Sequence, residues 1–173
     1  MKQFMKLGSL LTMVMLLAMG TMVTSCGDDD DEGGGSQTIN KVVLNGKELA
    51  ISKVEYDPND LENGNYNLWL YFTDGTGLNF QLSGVYDNQP IDMTKTDPEE
   101  WYWIFNYLNN YNIPILYSDG DATTPHPCDA GSTMKVRCLN KTTGEFEVTF
   151  KVIKNDITMN GYYKGTFTPY VPK

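Results

Sequence analysis

The 173-residue chain carries 13 basic and 22 acidic side chains, a formal net charge of −9 with its single histidine neutral. An acidic balance without clustered Lys and Arg argues against nucleic acid as a partner, because phosphate backbones are gripped by concentrated positive charge. Neither a phosphate-cradling P-loop nor a dinucleotide fingerprint occurs, so no cofactor is implied.

The chain opens with Lys2 and Lys6, followed by an almost unbroken apolar run over 10–23 and then Val23-Thr24-Ser25-Cys26. A basic start, a short apolar stretch and small residues at its end mark a secretory signal that is absent from the mature chain. The alternative is a retained membrane helix, but the run is a little shorter than the roughly 20 apolar residues that span a bilayer. Val23, Thr24 and Ser25 before Cys26 resemble the lipobox of bacterial lipoproteins, in which the cysteine is acylated and becomes the new N-terminus. The acids that follow, Asp28 to Asp31 and Glu32, resemble the export signal of Bacteroidetes-type surface lipoproteins. The resemblance implies removal of residues 1–25, lipidation of Cys26 and a surface-exposed position on the outer membrane. It implies nothing about activity. Each buried methylene contributes about 0.8 kcal/mol, so one acyl chain gives marginal residence and two or more hold firmly. The diacylglyceryl cysteine implied by the resemblance meets that condition. Mutual repulsion of the acids keeps 26–37 an extended, hydrated linker.

Removing the signal takes away two of the 13 basic residues and leaves 22 acids, a charge of 11 − 22 = −11. Five of those acids belong to the linker, so the remainder stands at 11 − 17 = −6, a charge that favours solubility. Residues 38–173 are read as one domain, since the chain from Ser36 onward can bury roughly two thirds of its unfolded surface. No internal repeat interrupts it.

The elements in chain order are mostly strands and turns. In KVVLNGKELAIS, Asn45-Gly46 between apolar runs is a strong hairpin signal, because both residues tolerate positive φ. In YNLWLYFTDGTGLNFQL, Tyr66, Leu68, Leu70 and Phe72 share one side of a strand and Asn67, Trp69, Tyr71 and Thr73 the other. Asp74-Gly75 and Gly77 then turn the chain into Leu78, Phe80 and Leu82. DPEEWYWIFNYLNN is ambiguous. Asp97 as N-cap, Pro98 at the first position and Glu99 and Glu100 in the first turn suit a helix. The aromatics and Ile104 suit a strand that puts Trp101, Trp103, Phe105 and Tyr107 on one side. The surroundings favour the strand. GSTMKVRCLN and GEFEVTFKVIK form another pair, with Phe146, Val148, Phe150 and Val152 on a buried face. GYYKGTFTPYV supplies a closing strand whose Pro169 belongs at an edge or end. The fold class expected is all-β, a single antiparallel β-sandwich or barrel. KVVLNGKEL, SGVYDNQPIDMTK, GSTMKV and GYYKGTF are also similar to recurring strands of small β-sandwich lipoproteins of Bacteroidetes, many of which have no assigned activity.

With Cys26 lipidated, Cys128 and Cys138 remain. In an exported chain an even pair suggests a disulfide, which would stabilise the fold by roughly 2–3 kcal/mol for a loop of about ten residues. The rivals are two free buried thiols or a metal site with His126. Only one histidine is present, and Pro125 and Pro127 restrict it, so no metal site is expected. DPNDLENGN, over 57–65, and SDGDA, over 118–122, read first as flexible turns, and calcium in the former would need an Asp or Asn where Leu61 stands. Carboxylates for sugar hydrolysis, held roughly 5 to 9.5 Å apart, could come from Glu99 and Glu100, Asp119 and Asp121, or Asp57 and Asp60. A Ser-His-Asp set would have to use His126 and lacks a GxSxG elbow. No catalytic residue is therefore assigned. Trp101, Tyr102, Trp103, Tyr107, Tyr111 and Tyr117 crowd into 17 residues. Exposed Trp and Tyr stack on sugar rings or grip proteins, so Trp101, Trp103 and Tyr107 are the candidate ligand-binding platform, set against the favoured alternative that these aromatics fill the interior. The expected function is a non-catalytic surface binding module for a glycan or protein ligand. The alternatives are an extracellular glycan hydrolase and a structural adhesin or envelope subunit whose terminal GYYKGTFTPYV offers an open edge.

Overall fold

A computed structural model describes residues 40–96, 103–120 and 125–171. The signal, Cys26 and the acidic linker lie outside the described residues, as does 97–102 with the Asp97-Pro98 signal and Trp101.

Among the described residues twelve strands form two six-stranded sheets. Strands β1 (Lys41–Leu44) and β2 (Lys47–Leu49) are joined at Asn45-Gly46, where φ is +47° and +81°. These angles belong to the left-handed region that Asn and Gly occupy most readily. Strand β3 (Ile51–Tyr56) leads into α1 (Pro58–Glu62), then β4 (Asn65–Phe72) and β5 (Gly77–Ser83) make a second hairpin through Asp74-Gly75. A 3₁₀ turn at Gly84–Tyr86 precedes β6 (Ile91–Asp92), β7 (Trp103–Leu108) and β8 (Pro114–Asp119). Strands β9 (Thr133–Asn140), β10 (Glu145–Lys154), β11 (Ile157–Thr166) and β12 (Thr168–Pro169) complete the chain. Sheet 1 has the order β2-β1-β11-β10-β9-β6 and sheet 2 the order β12-β3-β4-β5-β7-β8. All pairs are antiparallel except β12 with β3. Among the described residues both sheets keep two free edges, and the architecture is an all-β sandwich and not a closed barrel.

The core lies between the sheets. Phe80 and Phe105 of sheet 2 meet Phe150 of sheet 1 with ring centroids 5.1 and 6.0 Å away, and each other at 5.4 Å. Edge-to-face and tilted aromatic contacts at such distances add stability beyond area burial. Gly161 on β11 stands opposite Phe150 and Val42. A β-carbon there would lie 2.7 Å from the Phe150 ring and 2.9 Å from Val42, so the missing side chain makes the room that ring occupies.

Four expectations change. The segment at 103–108 is a strand, but Trp103 and Tyr107 point inward, 0% and 7% exposed. The same alternation that aligns them with Phe105 directs all three at sheet 1. The Trp103 indole N–H donates to the Lys95 carbonyl at 3.2 Å, which satisfies its one polar group inside. Trp103 and Tyr107 are therefore core, not an exposed platform, and Trp101 lies outside the described residues. Cys128 and Cys138 are both free thiols. Cys128 sits beside Ser118 and Ser132 at the start of β9, whereas Cys138 lies six residues beyond Ser132. That is roughly 20 Å of extended strand, far beyond the ~7 Å Cα limit for a bridge. Strand β11 is interior, between β1 and β10, so most of the terminal segment offers no open edge; Pro169 in β12 is at the edge of sheet 2. Finally, DPNDLENGN contains a short helix: Asp57 Oδ1 caps it by accepting from the Asn59 and Asp60 amides at 2.8 and 3.4 Å. Among the described residues no helix is long and apolar enough to cross a membrane.

Candidate functional site

Inward burial of one face of sheet 2 dictates what stands on the other. On β4, Tyr66, Leu68, Leu70 and Phe72 enter the core, leaving Asn67, Trp69 and Tyr71 outside. On β5, Leu78, Phe80 and Leu82 go in, and Asn79 and Gln81 face out; on β7, Ile104 and Asn106 face out. The register then sets these residues in rows. Glu55, Trp69, Asn79, Asn106 and Tyr117 follow one another across β3, β4, β5, β7 and β8, and Asn67, Gln81, Ile104 and Asp119 form the adjacent row.

Four amides in these rows make a one-way hydrogen-bond chain. Asn106 Nδ2 and Gln81 Nε2 both donate to Asn79 Oδ1, at 3.2 and 2.7 Å. Asn79 Nδ2 donates to Asn67 Oδ1 at 2.8 Å and to the Leu68 carbonyl at 3.2 Å. Asn67 Nδ2 donates to Asp60 Oδ2 at 2.9 Å, and the Asp57 cap is what presents Asp60 there on α1. Successive bonds with one polarity reinforce one another. Asn79 is the hub and is only 3% exposed. At the open end of the chain Asn106 Oδ1 is buried without a hydrogen-bond partner, a state that costs free energy unless something completes it.

Aromatics flank the amides. Trp69 and Tyr170 lie with ring centroids 5.3 Å apart and planes 33° from parallel. Tyr170 is held by its N–H on the Tyr56 carbonyl at 2.8 Å. Beside them, Lys53 Nζ sits 5.6 Å from the Tyr71 ring centroid and 2.5 Å from Glu55, a carboxylate only 6% exposed. Burial, then the negative charge of Glu55 and a hydrogen bond to it, push the Tyr71 phenol up to about 12, so it remains a neutral donor. The groove over the amides has a volume of about 390 Å³, and a second of about 390 Å³ adjoins it, both lined by Tyr71, Asn112 and Tyr170.

The remaining sequence candidates are elsewhere. Asp119 is buried, accepting from the Tyr117 hydroxyl and, at 2.9 Å, from the His126 backbone N–H; the His126 ring nitrogen Nδ1 is 3.9 Å away. Ser118 does not face His126; its Oγ accepts from Lys154 Nζ at 2.8 Å, and the same ammonium donates to the Tyr117 and His126 carbonyls. This knot ties β8 to β10 across the sandwich edge. Burial pushes both thiols up, and for Cys138 the nearby Asp87 adds to it. Asp57 caps a helix and Asp60 ends the amide chain, while 97–102 and 121–124, with Glu99, Glu100 and Asp121, lie outside the described residues. Among the described residues no group of three or more His, Cys, Asp or Glu could hold a metal ion. Tyr111 is 77% exposed and Tyr117 40%, but only Tyr117 belongs to a row of the site. Sequence reading missed Trp69, Tyr71, Asn79, Gln81, Asn106 and Tyr170 as a group. The signal was the outward half of YNLWLYF and GLNFQLS. No protein-family model, curated protein or solved structure matches the chain.

Proposed function

We propose that the chain is a surface-exposed lipoprotein, held on the outer membrane through acylated Cys26, whose folded domain is a non-catalytic binding module for a glycan. The observation that carries the reading is the outer face of sheet 2: a Trp69/Tyr170 pair beside amides fixed in orientation by one another. Flat apolar faces stack on sugar rings, and amides offer the paired donor and acceptor that a hydroxyl needs. Amides ordered by the protein lose little freedom when a ligand arrives, which preserves affinity. The carboxylates nearest the groove support binding over hydrolysis. Glu55 is held by Lys53 and Tyr71, Asp57 by the α1 amides and Asp60 by Asn67, so each already has a structural task.

The test is binding of the mature chain to arrayed glycans, with Trp69→Ala and Tyr170→Ala in parallel. Loss of one stacking face removes about 0.5–1.5 kcal/mol beyond area, so each variant is expected to weaken binding several-fold or more while melting as a folded protein. Undiminished binding by both variants refutes the assignment of this face.

A further inference from the structure

Resting on that reading, we infer that the ligand is a neutral polysaccharide segment several sugar units long, and that sheet 2 discriminates against uronate- and sulfate-bearing chains. Three observations converge on this specificity.

The first is charge. Across the two grooves the ionised side chains are Lys53, Glu55 and Asp57. Lys53 is paired with Glu55 at 2.5 Å, and Asp57 brings a second carboxylate, so the face offers an anionic sugar no uncommitted cation among the described residues. Among the described residues Lys53 is the one cation lining the grooves; Lys41, Lys135, Arg137, Lys151 and Lys164 alternate with core residues of β1, β9, β10 and β11, on the outer face of the opposite sheet, and the exposed Lys47, Lys95 and Lys141 line neither groove. Desolvating a sugar carboxylate against amides and Glu55 leaves a charge without a partner, and such a mismatch is a strong source of discrimination.

The second is hydrogen-bonding valence. Asn79 is saturated by the chain itself, Asn67 keeps one N–H and one oxygen lone pair, and the acceptor with no donor at all stands at the far end. Asn106 Oδ1 lacks a donor, and Gln81 uses one N–H toward Asn79, leaving its other N–H and its Oε1. An acceptor beside a free donor matches a hydroxyl, which both donates and accepts. A carboxylate or sulfate group standing at that position supplies acceptors only and leaves Asn106 Oδ1 unanswered.

The third is extent. From β3, beside Tyr170, to β8 at Pro114 there are four strand spacings, roughly 19 Å in all, and within that span Trp69 on β4 and Asn106 on β7 are two spacings apart, roughly 10 Å. The whole face has the length of several linked sugar rings, so stacking and hydroxyl recognition engage neighbouring units of one chain.

The experiment titrates the mature chain with neutral gluco-, manno- and xylo-oligosaccharides from one to six units and with oligogalacturonates of equal length. Wild-type protein is expected to prefer the neutral series at least tenfold, and affinity to rise with length until the chain covers the amide row. Ile104→Arg, which adds a cation beside Gln81 without touching the amide chain, is expected to narrow the preference. Oligogalacturonates bound as tightly as neutral chains, with Trp69→Ala abolishing both, would overturn the specificity and leave the binding face intact. Absence of binding in both series, or binding insensitive to Trp69→Ala, would overturn the binding-module reading as well.

Discussion

The amide chain makes a sharp prediction at its hub. Asn79 donates two hydrogen bonds and accepts two, and is nearly inaccessible. In Asn79→Ala all four are lost. Each is worth about 1 kcal/mol net, but Asn67, Gln81 and Asn106 are half-buried and recover water, so the expected loss is about 1.5–3 kcal/mol. For a domain of this size that lowers Tm by roughly 5–12 °C. Asn79→Asp keeps the shape and removes both donors, setting a carboxylate oxygen against Asn67 Oδ1 and the Leu68 carbonyl. The loss should exceed that of the alanine variant, about 3–5 kcal/mol at pH 7.5, because a buried charge then faces acceptors. Its pH dependence carries the sign. The introduced carboxyl is raised in the folded state, so the native form binds more protons than the unfolded one above pH ~4. The deficit must therefore shrink on moving from pH 7.5 to 5. Denaturant melts of the three proteins at both pH values decide it. An aspartate variant as stable as wild type, or a deficit that ignores pH, would refute the assigned polarity of the chain.

Gly161→Ala is expected to lose about 1–3 kcal/mol in denaturant unfolding, because Phe150 cannot yield without disturbing Phe80 and Phe105; a neutral result would contradict the packing. Stability should fall as pH rises from 10 to 12. The unfolded chain releases the Tyr71 proton near 10 and the folded one near 12, with Tyr66 and Tyr163 shifted in the same direction; an alkaline titration followed by circular dichroism reads this. Without a disulfide, reductant should leave Tm unchanged, and half-buried Cys138 should react with a thiol reagent before buried Cys128.

Strand-by-strand, much of the sandwich was written in alternation and turn chemistry. Asn45-Gly46 and Asp74-Gly75 name their hairpins because few other residues accept those backbone angles, and FEVTFKV declares its buried face. The aromatic cluster at 101–117 was misleading for a physical reason: aromatics favour both strand interiors and exposed sites, and only the partner sheet decides which face is covered. Once sheet 1 covers that face of β7, Trp103 and Tyr107 must be core. The helix at Pro58–Glu62 was legible in Asp57-Pro58, the same start signal seen at Asp97-Pro98, but its brevity concealed it among turn residues. The binding face was half legible. Local alternation turns Asn67, Trp69 and Tyr71 outward together, yet their meeting with Asn79, Gln81, Asn106 and Tyr170 depends on register and on β12 returning beside β3, which no local pattern encodes. The even pair of cysteines suggested a bridge, but Cys128 lies beside Ser132 just before β9 and Cys138 lies well along that strand, which keeps the sulfurs apart.

The most direct test of the central claim is a two-dimensional ¹H–¹⁵N spectrum of the protein during titration with a neutral oligosaccharide that it binds. The side-chain amide signals of Asn67, Asn79, Gln81 and Asn106 and the Trp69 indole N–H should shift together, with saturation at one ligand per chain and with sheet 1 unmoved. Shifts confined to the outer face of sheet 1 or to the loops, with those five groups unperturbed, would contradict the account.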